Sequence, residues 1–276
     1  MPLPTPEEST HRIQGTLLFF FFGLCIGTMA SFAGMGGGFL IVPLLLGCGF
    51  SSGRAVGTSL SCVLLLTTSS LVAAISEGTI DPVFGLLIGI GGALGAQIGS
   101  RLVHHVPTRI FRKIFSFVLL ALALFLVADS KFGLRELGIT HFSQNPVHMS
   151  HLSIVGLGFL VGIVASFVGL GGGFLLTPIL IGLGFSSERA TGTAFIAILV
   201  IALSSVVVHL RKKVKIAFHT ALFLGLGGIT GAQIGNRLLP FVPQEGFKIF
   251  FALVLASLSL FIFRQHENDN HERSTG

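Results

Sequence analysis

One glycine-rich segment, written twice, limits what this chain can fold into more than any other feature. Gly34-Met35-Gly36-Gly37-Gly38-Phe39-Leu40 recurs 135 residues later as Gly169-Leu170-Gly171-Gly172-Gly173-Phe174-Leu175. The match runs on through Pro43 and Pro178, Gly49-Phe50-Ser51-Ser52 and Gly184-Phe185-Ser186-Ser187, Arg54-Ala55 and Arg189-Ala190, and Gly57-Thr58 and Gly192-Thr193. A second block, Gly95-Ala96-Gln97-Ile98-Gly99, returns as Gly231-Ala232-Gln233-Ile234-Gly235. Each glycine in a helix costs roughly 1 kcal/mol against alanine, so a continuous helix is disfavoured at Gly34–Gly38 and Gly169–Gly173. In a bilayer, broken backbone persists only where protein or a water-filled cavity satisfies its polar groups. A matched pair of broken apolar segments is the sequence pattern of a secondary transporter's binding site.

The rest of the chain suits that setting. Of its 276 residues, 51% are hydrophobic and 10% charged, and the mean hydropathy is +0.89. The apolar runs approach or exceed the ~18–20 residues that span a bilayer, which predicts an all-α polytopic membrane protein. All eleven acidic residues fall outside these runs, so no carboxylate relay is expected. His209 and His219 come nearest to the membrane interior, both close to span ends. The net charge of +6 reads as basic loops on the cytoplasmic side, not as a nucleic-acid face. Cys25, Cys48 and Cys62 lie in apolar stretches and are expected to be free packing thiols, not a disulfide framework. Trp and Tyr are absent, and 27 phenylalanines fill that volume. The first apolar run has the look of a signal peptide, but its copy at Leu152–Gly184 lies mid-chain, which predicts that both are retained.

The expected organisation is a polar tail (1–14), a first transmembrane repeat (15–128), a linker (129–151), a second repeat (152–263) and a polar tail (264–276). Repeat one contains a broken element at Gly15–Gly49 and spans near Ala55–Ser76, Pro82–Leu102 and Arg109–Ala128. Repeat two contains Leu152–Gly184, Ala190–His209, Ile216–Leu238 and Gly246–Phe263. Positive charge decides between two topologies. If each broken element crosses once, the repeats are parallel and the 17 Lys and Arg divide nine against eight. If each is a hairpin followed by three crossings, the repeats are inverted and the same 17 divide twelve against five. The second division carries a bias, so inverted repeats with both termini cytoplasmic are expected.

Glycines admit positive φ and leave N–H groups pointing at a cavity, the material of an anion nest. Helices beginning at Phe39 and Phe174 would aim positive dipole ends at the same place. Gly36, Gly37, Gly38, Gly171, Gly172 and Gly173 are therefore candidate substrate contacts. Close helix packing is the competing reading, since both blocks also match the small-xxx-small pattern. Gly91, Gly95 and Gly99, with Gly227, Gly231 and Gly235, read as packing seams instead. Gln97 and Gln233 within them either bridge helices or donate to a passing anion. Arg101 and Arg237 read as interface anchors. Thr58 and Thr193 either cap a helix or face the cavity. His104, His105, His141, His148 and His151 read as solvated loop residues without ligand spacing, so no metal, cofactor or catalytic set is expected.

At these residues the chain resembles the sulfite exporter TauE/SafE family of membrane permeases. The resemblance rests on the two glycine blocks, Pro43 and Pro178, Arg54–Thr58 and Arg189–Thr193, and the Gly95–Arg101 and Gly231–Arg237 blocks. It implies a bacterial-type inner-membrane transporter of sulfur-containing anions such as sulfite or small organosulfonates. Asp81 has no acidic counterpart in repeat two, where Ala217 stands. The expected function is a secondary transporter exporting a small anion, with lipid as its surroundings and assembly with further copies of itself left open. The rival is a non-transporting membrane scaffold in which every glycine serves packing.

Overall fold

The computed structural model describes residues 17–29, 38–132, 150–238, 249 and 252–263, and they are helical apart from short turns. The helices in chain order are α1 (Leu17–Met29), α2 (Gly38–Gly47), α3 (Ser52–Ser76), α4 (Pro82–His105) and α5 (Thr108–Phe132). Then come α6 (His151–Val168), α7 (Gly173–Gly182), α8 (Ser187–Arg211), α9 (Phe218–Leu238) and α10 (Ala252–Phe263). Four of them, α3, α4, α6 and α8, are long and apolar enough to cross a membrane. The 25 residues of α3 rise about 37 Å, more than a hydrocarbon core of about 30 Å. The ten residues of α2 and of α7 rise only about 15 Å, so neither crosses alone. Apolar side chains cover the outside, among them Phe117, Leu152, Val72 and Leu160, as lipid contact requires.

Helix starts fall at serines, not at the first apolar residue, although the Ser51 side chain makes no cap bond. Ser51 and Ser186 stand at the same extended N-cap geometry, so α3 and α8 begin three residues before the hydrophobic runs at Ala55 and Ala190. The Ser186 hydroxyl accepts from the Arg189 N–H at 3.4 Å. Gly49 and Gly184, both at positive φ (82° and 94°), close α2 and α7 with the same pair of backbone bonds. α5 continues to Phe132, past the expected start of the linker at Asp129. Residues 133–149 of that linker, both polar tails, and Gly34, Gly36 and Gly37 lie outside the described residues, while Ser150 and His151 already belong to the start of α6. Of the cysteines expected to pack inside, Cys62 is buried but Cys25 and Cys48 are exposed.

The glycine seams join elements from the two halves of the chain. A Cβ at Gly91, Gly95 or Gly99 on α4 would lie 2.0–2.2 Å from carbonyl oxygens of Val155, Phe159 and Ile163 on α6. A Cβ at Gly227 or Gly231 on α9 would lie 2.1 Å from those of Phe20 and Leu24 on α1. Only glycine lets backbones approach this closely. In both pairs the residue numbers climb together, so α6 runs parallel to α4 and α1 runs parallel to α9. The core forms two clusters: α2 is enclosed by residues of α3, α5, α9 and α10, and α7 by residues of α4, α6 and α8. Leu170 and Phe174, from around the second break, sit in the first cluster, and Val63 of α3 sits in the second. The halves are therefore interlocked at the breaks.

Candidate functional site

At the second break the chain leaves the helix at a defined point. α6 ends at Val168, and Gly169 follows in the left-handed region at φ 81°, its N–H bonded to the Ala165 carbonyl. Gly171 and Gly172 are also left-handed, at 75° and 93°, and Gly172 is the N-cap of α7. Any side-chain residue is strained at such angles, so three glycines in this block are dictated by backbone geometry. Gly171 and Gly172 form a tight turn before α7, and among the described residues their N–H groups meet no backbone carbonyl. They stand together at the positive end of α7. Gly171, Gly172 and Gly173 are all buried, so this conformation is closed at the break.

The first break meets the second. A Cβ on Gly38, the first residue of α2, would lie 2.7 Å from the Leu170 carbonyl oxygen and 2.8 Å from a Val63 methyl. Val63 also bears on Gly171, where a Cβ would lie 2.5 Å from its other methyl. One buried hydroxyl, Ser59 on α3, stitches the breaks together. It donates to the Gly169 carbonyl at 2.9 Å and lies 3.4 Å from the Gly38 carbonyl. The matching position on α8 is Ala194, also buried, so the stitch is single. Ser59 escaped sequence reading because a lone serine on an apolar helix gives no signal until its carbonyl partners are known.

The two threonines act across the halves. Thr58 on α3 accepts from the N–H of Ala217, just before α9, at 3.2 Å. Thr193 on α8 accepts from the N–H of Asp81, just before α4, at 2.9 Å. Both threonines are wholly buried. Each hydroxyl therefore satisfies the approach to a helix of the other half, not the start of its own helix. Gln97 and Gln233 take a different place, exposed on α4 and α9, while the glycines flanking them are buried in the seams. Arg101 and Arg237 are exposed as well. Asp81 has two further roles: its carboxylate caps α4 by accepting from the Phe84 N–H at 3.0 Å, and it lies 4.0 Å from the Arg189 guanidinium.

These positions are also where the chain matches known proteins. The sequence model of the family Sulfite exporter TauE/SafE matches residues 2–126 and 154–276. The chain belongs to the TauE/SafE family. Among its relatives in Bacillus subtilis (strain 168), "Probable membrane transporter protein YunE" is 30% identical over 235 residues, covering 78% of this chain and 84% of that protein. "Probable membrane transporter protein YdhB" is 26% identical over 252 residues, covering 88% and 98%. The archaeal "Probable membrane transporter protein MJ0441" of Methanocaldococcus jannaschii is 22% identical over 255 residues, covering 87% and 92%. No solved structure shows a significant match. The two matched stretches of the TauE/SafE model stop and restart on either side of the linker, and each contains one glycine break. Its family thus makes this chain a membrane transporter, as the names of its relatives state of theirs.

Proposed function

We propose that the chain is a secondary transporter that moves small sulfur-containing anions, such as sulfite or an organosulfonate, out across the inner membrane by alternating access. The anion sits where the two breaks meet, held by backbone N–H groups of Gly171, Gly172 and Gly173 and by those before α2. The observation that carries this reading is the run of left-handed glycines at the head of α7, placed against Gly38 and tied by Ser59. Such a site binds oxyanions with backbone dipoles and needs no buried Lys or Arg.

The halves are read as inverted. α1 starts alongside the start of α9, and α2 ends beside the start of α3, which the Thr58 bond places at that same end. α6 starts alongside α4, and α7 ends beside the start of α8, which the Thr193 bond places at the start of α4. Each broken element then enters and leaves on one side, and opposite sides serve the two halves. The end that gathers Arg54, Arg109 and Arg211 is the cytoplasmic one on the positive-inside rule.

Flux in proteoliposomes of purified protein tests the reading, with sulfite, sulfate and a small organosulfonate compared at controlled potential. Saturable flux of sulfite or sulfonate is expected. Flux of none of the three from folded protein would overturn it in favour of another substrate class or a scaffold.

A further inference from the structure

A second buried polar cluster lies away from the glycine breaks, where the start of α3 meets the ends of α4 and α8. The rings of His104 and His209 stand edge to face, with centroids 4.8 Å apart at 66°. His209 is wholly buried, and His104 is half-buried on α4 instead of being the solvated loop residue expected from the sequence. The Nδ1 of His209 lies 2.8 Å from the Ser205 carbonyl, which can only accept, so this nitrogen carries the hydrogen. Its Nε2 is then a lone pair in the neutral ring. The Nε2 atoms of both histidines are buried and have no hydrogen-bond partner among the described residues. One turn before His104 on the same helix, the Ser100 hydroxyl is likewise buried and without a partner.

The pair is built in, not merely tolerated. α3 presses on it with glycines: a Cβ at Gly53 would lie 2.7 Å from the His104 Nδ1, and one at Gly57 2.9 Å from the His209 Cδ2. Leaving a buried acceptor unmatched costs about 1–3 kcal/mol, so the His209 Nε2 lone pair needs a partner. His104 stands beside it and in its neutral Nε2–H form is a donor to that lone pair, and a proton added from water is then held by the pair as a whole. A second proton is opposed by like charge at this distance.

The charged groups around the pair are basic, which opposes a second proton most strongly. From α4 and from the turn after α8, His105 and Lys212 act electrostatically on His104. α3 brings Arg54, which is exposed with its guanidinium 4.4 Å from the Phe50 ring. α5, which starts beside α3, brings Arg109 and Arg112. α6 brings only the Ser166 hydroxyl, bonded to Ser205 at 2.6 Å. Among the described residues no carboxylate faces the pair; Glu77, Asp81 and Glu188 belong to the opposite end, where α4 and α8 start.

We propose that His104 and His209 form a one-proton site buried where α4 and α8 end, whose filling and emptying couples the anion's movement to the proton gradient. The coupling rests on the transport reading above; the proton site does not. The proton enters from water and leaves to water, with no other bond made or broken.

Nitrogen-15 NMR of histidine-labelled protein in nanodiscs reads the site without any anion. Two ring signals, identified by their loss in His104→Gln and His209→Gln, are expected to move together as the pH falls from about 9 to about 4, taking up one proton in total. His219→Gln, an exposed residue outside the pair, should leave both signals unchanged. Rings that stay neutral throughout, or that titrate independently, would overturn the proton site. The wild-type signals decide this even if a variant fails to fold. In proteoliposomes, a one-unit pH gradient should drive up to about tenfold anion accumulation in the wild type. His209→Gln should lose that accumulation and keep anion exchange at equal pH. Exchange without any pH-driven accumulation in the wild type would overturn the coupling. A coupled NMR titration with no anion flux at all would leave the proton site standing and remove the transport reading.

Discussion

The two ends of the bundle share a bond and differ in their charge. At one end Thr58 receives the N–H of Ala217 before α9; at the other, Thr193 receives the N–H of Asp81 before α4. The turns nearby match as well. The Thr79 N–H bonds to the Ala74 carbonyl and the Val214 N–H to the His209 carbonyl, both at 3.1 Å. The chemistry set on that framework does not match. Asp81 brings a helix-capping carboxylate and a contact to Arg189, where Ala217 brings a methyl group. His209 brings an imidazole, where Ala74 brings a methyl group. The frame on which helices turn is duplicated, and the side chains of Asp81 and His209 are not.

The largest expected effects fall on what the two halves share. Gly95→Ala puts a Cβ 2.0 Å from the Phe159 carbonyl and Gly231→Ala puts one 2.1 Å from that of Leu24. Backbone cannot yield as a side chain can, so each should cost at least about 1–3 kcal/mol. Folded yield and melting temperature in detergent would read the loss. Similar losses are expected in both variants, and a tolerated substitution at one seam alone would break the equivalence.

Thr58→Val and Thr193→Val come next. Each leaves a backbone N–H at the approach to the other half's helix without its acceptor, at about 1–3 kcal/mol, and Ser should restore most of it. Thermal melting of the four variants would show whether the two ends are matched in strength as they are in geometry.

Much of this frame can be read from the residues. The breaks, Pro43 and Pro178, and the seams at Gly95 and Gly231 all announce themselves through spacing. Their partners do not. A small-xxx-small stripe says that something packs closely, but not that α4 takes α6 and α9 takes α1. Thr58 looks like a cap for its own helix, and only the fold brings Ala217 to it. His104 and His209 are 105 residues apart and each sits near a helix end, where a histidine ordinarily meets water. Their burial follows from Gly53 and Gly57, whose bare backbone makes room for two rings, and that link exists only in three dimensions.

Smaller effects should fall on the unlike groups. Asp81→Ala removes the α4 cap at about 1 kcal/mol, whereas Asp81→Asn keeps a capping side chain and loses only an exposed ion pair of about 0–1 kcal/mol. Comparing the two by melting separates cap from charge. Anion flux in Asp81→Asn should change little, since the 4.0 Å contact to the half-exposed Arg189 is weak. A steep loss of flux would make the carboxylate a coupling group and move the proton site away from the histidines. Arg189→Gln should have the smallest effect, within about 0.5 kcal/mol on stability.

The central claim is a place: the anion lies where the glycine breaks meet beside Ser59. Selenite, the selenium analogue of sulfite, makes that place visible by anomalous scattering from crystals of the protein. The account predicts one selenium peak against the N–H groups of Gly171–Gly173, displaced by excess sulfite. A peak at any other position, or none under conditions that support sulfite flux, would contradict it.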